Sequence, residues 1–370
     1  SKRVYLDDYV QSGIPFYRGK EISELQKGLT PKDILYISNE SYEQYKSKYG
    51  IPQVDDILIT AVGTLGNILR IKDRKPFYFK DGNLIWIKDI YEYSNFLEIL
   101  LEVKNKEIQK TSIGSTQRAL TMVELRKLLL PFPAKQEQQK IAAFLTAVDT
   151  KIEQLSKKQE LLGEYKKGLM QQIFSQAIRF KADDGSTFPE WKEKKLGDIV
   201  RFENGKGHEQ NISKDGKFIV VNSKFISSQG RVKKYTDTQK SPLNFGDVVM
   251  VMSDVPNGKA LAKCYYIEQD NLYSLNQRIC GLKHKLADTK FIYYRINRHK
   301  YFLSFDSGVG QTNLKKMEIL NCPLNIPTDI KEQAKIANFL SSVDNKIEQM
   351  GKQLDESKQF KKALLQQMFV

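Results

Sequence analysis

The sequence contains few of the residues that build metal centres, disulfides or membrane spans. Among 370 residues there are three cysteines and three histidines, and no two cysteines have the CxxC spacing of a zinc or redox site. The cysteines are therefore predicted to be free core thiols, and no metal site is expected. No run of eighteen apolar residues occurs and the mean hydropathy is −0.49, so we expect a cytoplasmic protein.

Catalytic motifs are also missing. The chain has no G-x-x-x-x-G-K-[ST] phosphate loop, no G-x-S-x-G elbow and no H-E-x-x-H motif, and it lacks the Asn-Pro-Pro-aromatic loop of amino-methyltransferases. The histidines, His208, His284 and His299, all lie in the second half, so acid–base chemistry shared by both halves is not expected. The sequence predicts a protein that binds without catalysing.

The chain does contain a long internal repeat. The segment KIAAFLTAVDTKIEQ at 140–154 returns as KIANFLSSVDNKIEQ at 335–349, a shift of 195 residues. Compared without gaps, residues 137–174 and 332–369 are identical at 20 of 38 positions. Two helices that share only a composition would not agree so often, so a duplication is indicated.

Both repeated segments are predicted to be long helices. Each follows a proline-marked entry, at Pro131 and Pro133 in the first copy and at Pro323 and Pro327 in the second, and then lacks proline. Apolar residues recur in alternating steps of three and four, as in a heptad seam, with polar residues at matching places. The seam positions are Leu145, Val148, Ile152, Leu155, Gln159, Leu162, Lys166, Leu169 and Ile173, and Leu340, Val343, Ile347, Met350, Leu354, Ser357, Lys361, Leu364 and Met368.

Each predicted helix has one apolar stripe, and the other helix is its simplest partner. Like helices related by a perpendicular twofold axis run antiparallel, which is the arrangement we expect; a parallel pairing is the alternative. The helices could serve only as a coiled-coil dimerisation device. A spacer between two binding modules accounts better for a duplicated chain.

The regions outside the helices are predicted to be mixed α/β domains made mostly of strands, because short β-branched and aromatic runs alternate with Gly, Asn and Asp. The predicted boundaries are 1–133 for the first domain, 134–178 for the central helix, 179–328 for the second domain and 329–370 for the C-terminal helix. Weak similarity links the domains in the same order, pairing residues 18–22 with 222–226, 54–57 with 245–248, and 114–120 with 308–314. Matching frameworks with different surface residues predict two different binding surfaces.

The net charge of +15 is unevenly distributed. Residues 1–133 carry +3, residues 179–328 carry +9, and the two helical segments together carry +3. A basic chain with a pI near 9.4 suits a polyanion such as nucleic acid, because Lys and Arg release counterions from phosphates. The alternative is the lysine-rich composition of a protein from an AT-rich genome.

Candidate base-reading residues are polar side chains near turns that can make two hydrogen bonds to one base. In the first domain these are Arg18, Lys20, Gln117 and Arg118, and in the second they are Asn222, Lys224, Gln277, Arg278, Gln311 and Asn313. Three further cations, Arg231, Lys233 and Lys234, are expected to hold phosphates. For each of them an ordinary solvated surface residue is the alternative.

The repeat resembles a known family signature. The pattern E-Q-x-K-I-A-x-F-L-x-x-V-D-x-K-I-E stands at 137–153 and at 332–348. With its flanking variable domains it is similar to the specificity subunit of type I DNA restriction-modification systems. Residues 188–199, FPEWKEKKLGDI, also resemble the usual opening of a target-recognition domain in that family. The resemblance covers essentially the whole chain.

The resemblance implies an α+β fold with two mixed α/β target-recognition domains and two long helices that pair as a pseudo-twofold antiparallel coiled coil. Each domain would read one half of a split double-stranded DNA target, and the coiled coil would set the gap between the halves. The implied partners are two DNA adenine methyltransferase subunits, which bind S-adenosylmethionine, and in a full restriction complex motor and nuclease subunits that use ATP and Mg²⁺. None of these cofactors would bind this chain.

One departure from the family pattern concerns the first domain. It has no counterpart of residues 191–199, so the first domain is expected to be truncated at its N-terminus relative to the second. The 195-residue shift matches Val370 with Ser175, so the missing piece is what would follow position 370 in a closed repeat. We therefore expect the C-terminus to lie near Ser1 and the first domain to be smaller or completed by a neighbour.

Three other interpretations remain open at this stage. The chain could be the recognition subunit of a related bifunctional restriction enzyme that cuts on both sides of its site. It could be an enzyme in its own right, although catalytic residues are missing. It could also be a coiled-coil scaffold unrelated to DNA.

Overall fold

A computed structural model describes residues 4–79, 82–114, 118–255 and 258–369. The helices are α1 (Gly19–Gln26), α2 (Asn39–Tyr49), α3 (Ser94–Val103), α4 (Asn105–Lys110), α5 (Met122–Leu125), α6 (Lys135–Phe174), α7 (Leu196–Ile199), α8 (Ser223–Ser227), α9 (Thr289–Ile296), α10 (Lys300–Leu303), α11 (Lys316–Leu320) and α12 (Ile330–Met368), with short 3-10 turns at Leu6–Asp8 and Glu209–Asn211. In these ranges no helix has the length and apolar character of a membrane span.

The strands are β1 (Tyr9–Val10), β2 (Ile14–Tyr17), β3 (Leu35–Ile37), β4 (Ile57–Thr60), β5 (Ile68–Arg70), β6 (Tyr78–Phe79), β7 (Leu84–Ile87), β8 (Lys192–Lys195), β9 (Val200–Asn204), β10 (Phe218–Val221), β11 (Tyr235–Thr236), β12 (Pro242–Leu243), β13 (Val248–Val251), β14 (Ser253–Asp254), β15 (Cys264–Tyr266), β16 (Tyr273–Leu275), β17 (Ile279–His284), β18 (Thr312–Asn313) and β19 (Pro323–Ile326). The chain divides into two compact units. Unit 1 comprises Ser1–Ser156 and Lys352–Val370, and unit 2 comprises Lys157–Gly351.

The described part of unit 1 contains two sheets. The first has the strand order β1-β3-β2-β6, in which β2 and β6 are parallel and the other pairs antiparallel. In the second, β4 lies between β5 and β7 with antiparallel pairing. Strand β4 reads Ile-Leu-Ile-Thr and is buried at every position, as expected of a central strand covered on both faces. Helices α1 and α3 pack against this second sheet.

Unit 2 repeats this plan with more strands. Its sheets have the orders β15-β13-β17-β9 and β11-β10-β16-β12, and two further pairs are β14-β18 and β19-β8. Strand β13, Val-Val-Met-Val, is the fully buried counterpart of β4, and the parallel pair β10-β16 is the counterpart of β2-β6. The predicted mixed α/β domains are confirmed in both units.

The long helices run antiparallel in unit 1. Asp149 of α6 forms an ion pair with Lys361 of α12, with 2.6 Å between Oδ1 and Nζ. One turn earlier on α6, Leu145 is fully buried in a cluster that includes Leu365, which lies one turn later on α12. Earlier residues of one helix therefore face later residues of the other.

Unit 2 contains the same antiparallel pairing. Lys166 of α6 forms an ion pair with Asp344 of α12 at 2.5 Å. Earlier on α6, Gln159 faces Gly351, where an added Cβ would come within 2.9 Å of the Gln159 amide nitrogen.

The two ion pairs are related by the repeat. A shift of 195 residues converts Asp149 into Asp344 and Lys166 into Lys361, so each unit has the same Asp–Lys contact with the helices exchanged. The predicted antiparallel pairing of the two long helices is confirmed within each unit. The pairs fix the register of the helices, because a slipped register would separate the seam lysines Lys166 and Lys361 from their Asp partners.

The predicted seam is buried or half-buried along both helices except at its end. The side chain of Met368 is 36% exposed, so its assignment to the seam was wrong, whereas Phe369 is 7% exposed and packs with Phe96 and Ala142. Helix α12 ends at Met368, so heptad spacing no longer determines which side chain faces the core.

A repeated glutamine joins each domain to its helix. In unit 1 the buried Gln138 accepts a hydrogen bond from Tyr93 N (3.0 Å) and donates to Pro133 O (2.9 Å). In unit 2 the buried Gln333 accepts from Asp288 N (2.9 Å) and donates to Pro327 O (2.8 Å). The side chain thereby hydrogen-bonds a carbonyl before the long helix and the backbone N–H just before α3 or α9. This double role accounts for glutamine in both copies of the signature.

The three weakly similar segment pairs occupy equivalent positions. The first pair starts α1 in unit 1 and α8 in unit 2, and the second precedes β4 and β13. In the third, Leu120 N donates to Ala61 O as Leu314 N donates to Met252 O, each at 2.8 Å.

The units differ at the segment that the family pattern places at the start of a domain. In unit 2, β8, α7 and β9 are present and β9 pairs with β17 at the edge of a four-stranded sheet. In the described part of unit 1 the equivalent sheet has three strands, β5-β4-β7. The expected proximity of the chain ends involves Ser1 and Val370, which lie outside the described residues.

Candidate nucleic-acid interface

A cleft of about 420 Å³ opens in unit 2 where several strand ends and turns meet. The turn between β16 and β17, the end of β10, strand β14 and the residue before β18 all contribute to its walls. Four predicted base-reading residues line this cleft, namely Asn222, Gln277, Arg278 and Gln311. Residues far apart in the sequence are thus brought to one concave surface.

Asn222 is held at the start of α8. It follows the buried strand β10, and its Oδ1 accepts a hydrogen bond from Phe225 N at 2.9 Å, as a helix N-cap does. The cap occupies one acceptor position of the side chain and leaves the amide N–H groups as donors toward the cleft.

Arg278 is presented on a strained turn. Its φ of 65° lies in the left-handed region, which is unfavourable for a residue with a side chain. Its carbonyl oxygen accepts a hydrogen bond from Met252 N at 3.0 Å, which fixes the turn against the strand end. The side chain is exposed, and within the described residues its guanidinium makes no ion pair or hydrogen bond. Its donors are therefore free for a ligand.

The turn between β16 and β17 is shaped by its close contact with the backbone after β9. Gly205 at the end of β9 passes so close to the carbonyl of Asn276 that an added Cβ would lie 1.9 Å from the Asn276 oxygen. Asn276 is further held by the buried His208, whose ring also contacts Ser274 Oγ at 2.8 Å. This buried histidine therefore supports the turn from its interior side.

The two glutamines leave acceptors in the cleft. Gln277 donates from Nε2 to Glu209 Oε1 at 2.6 Å, and Gln311 donates from Nε2 to Ser253 Oγ at 2.5 Å. Each amide oxygen therefore remains an acceptor beside the Arg278 donors. A backbone N–H of Glu209 itself and the Gln277 amide hold the pKa of the Glu209 carboxyl below its usual value, so this carboxylate is charged at neutral pH.

Asp254 lines the cleft but is committed to its own loop. Its Oδ2 accepts hydrogen bonds from Ala260 N (2.6 Å) and Leu261 N (3.0 Å), and Oδ1 accepts from Val255 N (2.9 Å). This carboxylate shapes the wall of the cleft. The cleft thus combines one free cationic fork with amide donors and acceptors, which is the chemistry that reads base edges.

The remaining predicted residues of unit 2 lie around or beyond the cleft. Asn313 is exposed in β18, which pairs with β14, and Lys234 lines a smaller adjoining cavity of about 170 Å³ together with Asn222. Lys224 and Lys233 are exposed, and Arg231 Nε donates to Ser228 O at 3.0 Å.

In unit 1 the predicted residues have internal partners. Arg18 precedes α1 and forms a 2.6 Å ion pair with Glu21, which is 1% exposed. Burial by itself raises the pKa of Glu21, but hydrogen bonds from the Arg18 side chain and backbone outweigh it, and the net pKa is lowered. Lys20 pairs with Asp33 at 3.1 Å.

Arg118 donates to the carbonyl of Gln109 at 2.9 Å, and Gln117 lies outside the described residues. The structure therefore gathers the predicted readers of unit 2 but not those of unit 1.

Sequence reasoning missed Glu209, Ser253 and Asn276 of the cleft. Ser253 follows the buried strand β13 by two residues, and a polar residue at that strand end was a usable signal. Glu209 is on a 3-10 turn and no pattern indicated it. In the described ranges no group of three or more His, Cys, Asp or Glu residues is placed to hold a metal.

Comparison with known proteins agrees with this architecture. The family model of the type I restriction modification DNA specificity domain matches twice, at residues 4–162 and 189–358. A Haemophilus influenzae protein assigned as a type I restriction enzyme specificity subunit is 33% identical over 152 residues, which is 40% of this chain and 37% of that protein, and so less than two thirds of its length. The MjaVIII specificity subunit of Methanocaldococcus jannaschii is 24% identical over 294 residues, covering 73% of this chain and 68% of the relative.

Solved structures show the same fold. The crystal structure of a type I restriction-modification S subunit from M. genitalium matches with a TM-score of 0.61 and 16% identity, covering 100% of this chain and 93% of that one. Because the two family matches span most of the sequence, the chain belongs to the type I restriction-modification specificity subunit family and contains two specificity domains.

Proposed function

We propose that the chain is a non-catalytic, sequence-specific DNA-binding subunit that recognises a split double-stranded target, each unit reading one half. The observation that carries this proposal is the unit 2 cleft, where the unpaired Arg278 stands beside amide donors and acceptors on a rigid turn. A free arginine fork matches the O6 and N7 acceptors of guanine. The net charge of +9 on residues 179–328 supports binding to a polyanion.

The duplicated helices support a role in spacing. Matched Asp–Lys pairs fix the register of α6 against α12 in both units, so the helix pair is suited to set the number of unspecified base pairs between two half-sites. Removing two turns from both helices at equivalent positions should shorten that gap and leave both half-sites unchanged. Altered half-sites with an unchanged gap would contradict the spacing role.

The proposed partners are two DNA adenine methyltransferase subunits that carry S-adenosylmethionine, joined in a full restriction complex by motor and nuclease subunits that use ATP and Mg²⁺. The internal repeat supports two equivalent docking positions. The purified chain alone should transfer no methyl group from labelled S-adenosylmethionine to DNA, and transfer should appear when the methyltransferase subunits are added. Transfer by the chain alone would contradict a non-catalytic role.

Selection from a pool of random duplexes tests DNA reading directly. The wild-type complex should enrich sequences with two constant blocks separated by a fixed unconstrained gap. Arg278→Ala should relax the preference at one base pair of one block and weaken binding to the best site by about 1–3 kcal/mol. Lys192→Ala, at an exposed position of β8 that does not line the cleft, is the control and should change the selected sequence less. Failure to enrich any sequence, or loss of salt-sensitive DNA binding, would favour a scaffold unrelated to DNA.

A further inference from the structure

A second concave surface of unit 2 lies between the C-terminal half of α6 and the segment that joins α9 to α10. This basic crevice has a volume of about 530 Å³ and is separate from the base-reading cleft in its lining residues. Its cationic residues are Lys166, Lys167, Arg295, Arg298 and Lys300. No acidic side chain lines it.

The carboxylate that contacts Lys166 is already neutralised. Asp344 accepts from Lys166 Nζ at 2.5 Å and from the Tyr294 hydroxyl at 2.8 Å, and the same ammonium lies 5.2 Å from the centre of the Tyr294 ring. The other four cations make no ion pair with any described acidic residue. The crevice therefore carries an excess of positive charge that only a ligand or salt can balance.

The floor of the crevice is rigid. The Arg295 guanidinium lies 5.2 Å from the centre of the Phe174 ring, and its Nε is buried without a hydrogen-bond partner among the described residues. Arg298, held at a φ of 57°, donates from its guanidinium to Leu261 O at 3.0 Å. Ordered cations of this kind are placed before a ligand arrives, which reduces the entropy lost on binding.

A neighbouring histidine is neutral at pH 7. His299 caps α10, where its Nδ1 accepts from Tyr301 N at 3.4 Å. Burial, with added repulsion from Arg295 and Lys300, lowers the pKa of His299 to about 4. The imidazole is therefore neutral at pH 7 and available as an acceptor in a cluster that repels a further proton.

The equivalent crevice of unit 1 has a different lining. It contains the matching pair of Asp149 and Lys361, but its volume is only about 110 Å³. The same 195-residue shift that relates the two helix entries also relates α3 to α9. It places Ile99, Glu102 and Val103 of unit 1 at the positions of Tyr294, Asn297 and Arg298 of unit 2. The Asp–Lys pair is thus part of the common framework, and the excess of positive charge belongs to unit 2 alone.

We propose that the basic crevice of unit 2 binds backbone phosphates of DNA and so positions the duplex independently of base sequence. The inference rests on the proposed DNA-binding function and deepens it by assigning a phosphate site away from the base-reading cleft. Two arginines and two unpaired lysines match the phosphodiester chemistry, and the open form of the crevice suits a continuous strand. A free polyphosphate and an acidic protein segment are the competing occupants.

The salt dependence of DNA binding tests the number of contacts. The variant K167Q/K300Q changes two exposed lining lysines, and K192Q/K194Q, on the exposed strand β8 of the same unit, removes the same charge elsewhere. The duplex used has an unrelated sequence. The magnitude of the negative slope of log K against log salt should decrease by about 1.8 for the crevice variant, because each lost phosphate contact contributes about 0.9. It should decrease by less for the control. Equal slopes for the wild type and the crevice variant would overturn the proposal.

Directed cleavage tests the position of the DNA. Gln171→Cys places one thiol at the rim of the crevice, where an iron chelate that generates hydroxyl radicals can be attached. The labelled protein should cut a bound selected target at one location on each strand, and the same label at Lys192→Cys should give a different pattern or none. Binding without cleavage from position 171 would overturn the proposal.

Three further outcomes separate the competing explanations. Absence of DNA binding by the wild-type complex would refute the proposed function itself, before the crevice is considered. A small anion would replace DNA as the ligand if calorimetry shows that inorganic tripolyphosphate binds the wild type and not K167Q/K300Q. In that case the label at position 171 would not cut DNA, and K167Q/K300Q would bind DNA as tightly as the wild type. Unchanged DNA binding together with loss of the methyltransferase subunits from the variant would indicate an acidic protein segment.

Discussion

The two units share an internal framework and differ on their surfaces. In both, a fully buried strand lies at the centre of a sheet, a repeated glutamine fixes the helix entry, and an Asp–Lys pair fixes the helix register. In unit 1, however, Arg18 is paired with Glu21, whereas in unit 2 the equivalent Asn222 caps its helix and faces a cleft. Contacts that position each domain are therefore repeated, and contacts available to a ligand are not.

The largest expected effect concerns the helix seam. Leu145→Ala in unit 1 and Leu340→Ala in unit 2 each truncate a fully buried side chain and should each lower the free energy of unfolding by about 3 kcal/mol. Urea denaturation followed by circular dichroism measures both. Phe144→Ala, at a position 46% exposed, is the control and should cost much less. A large difference between the two leucine variants would show that the seams are not equivalent.

Substitution of a repeated glutamate should lower the free energy of unfolding much more in unit 2 than in unit 1. Glu332 is fully buried and receives three hydrogen bonds from the Arg179 guanidinium, the shortest at 3.1 Å, whereas Glu137 is exposed. Glu332→Gln should cost about 2 kcal/mol because the Arg179 guanidinium loses its charged acceptor and keeps, among the described residues, only Glu190 and two carbonyl oxygens. Glu137→Gln should change stability by less than about 0.5 kcal/mol. Similar losses in both variants would contradict the structural difference at this position.

The repeated glutamine should instead give matching results. Gln138→Ala and Gln333→Ala each leave a partly buried backbone N–H and a carbonyl without their side-chain partner, at an expected cost of about 1–2 kcal/mol each. Thermal unfolding measures both, with the exposed Gln139→Ala as control. An effect confined to one unit would show that the two helix entries are held differently.

The smallest expected effect is on the thiols, which only unit 2 contains. All three are buried, and burial raises the pKa of Cys280 and Cys322 to about 12 and that of Cys264 well above its usual value. The native protein should not react with maleimide at pH 8 and should react in denaturant. Stability should fall from pH 9 toward pH 12, because the unfolded chain ionises its thiols first. Rapid labelling of the native protein would contradict the buried positions.

Much of the framework was predictable because repetition supplies its own alignment. The helices, their antiparallel pairing and the equivalence of residues 18–22 with 222–226 all follow from comparing one half of the sequence with the other. Arg278 and Gln311, which line the cleft, were selected as candidates because polar residues at turns between strands stand at the edge of a sheet. The partner of Arg18 was missed, although an acidic residue three positions later indicates a capping contact.

Other features depend on three-dimensional contacts that no local pattern contains. Glu209 enters the cleft through a 3-10 turn held by the buried His208, and these residues contact others more than sixty positions away. The basic crevice forms only when α6 and the segment after α9 come together, so its five cations are scattered in the sequence. The fold class was therefore readable from the repeat, and the ligand surfaces required the structure.

Exchange of one domain tests the central claim most directly. Residues 1–133 would be replaced by the corresponding domain of another family member, and the modified adenines would be mapped in cells that contain the methyltransferase subunits. The account predicts that one half-site changes while the other half-site and the gap between them stay the same. A change in both half-sites, or in neither, would contradict independent reading by two domains on a common helical framework.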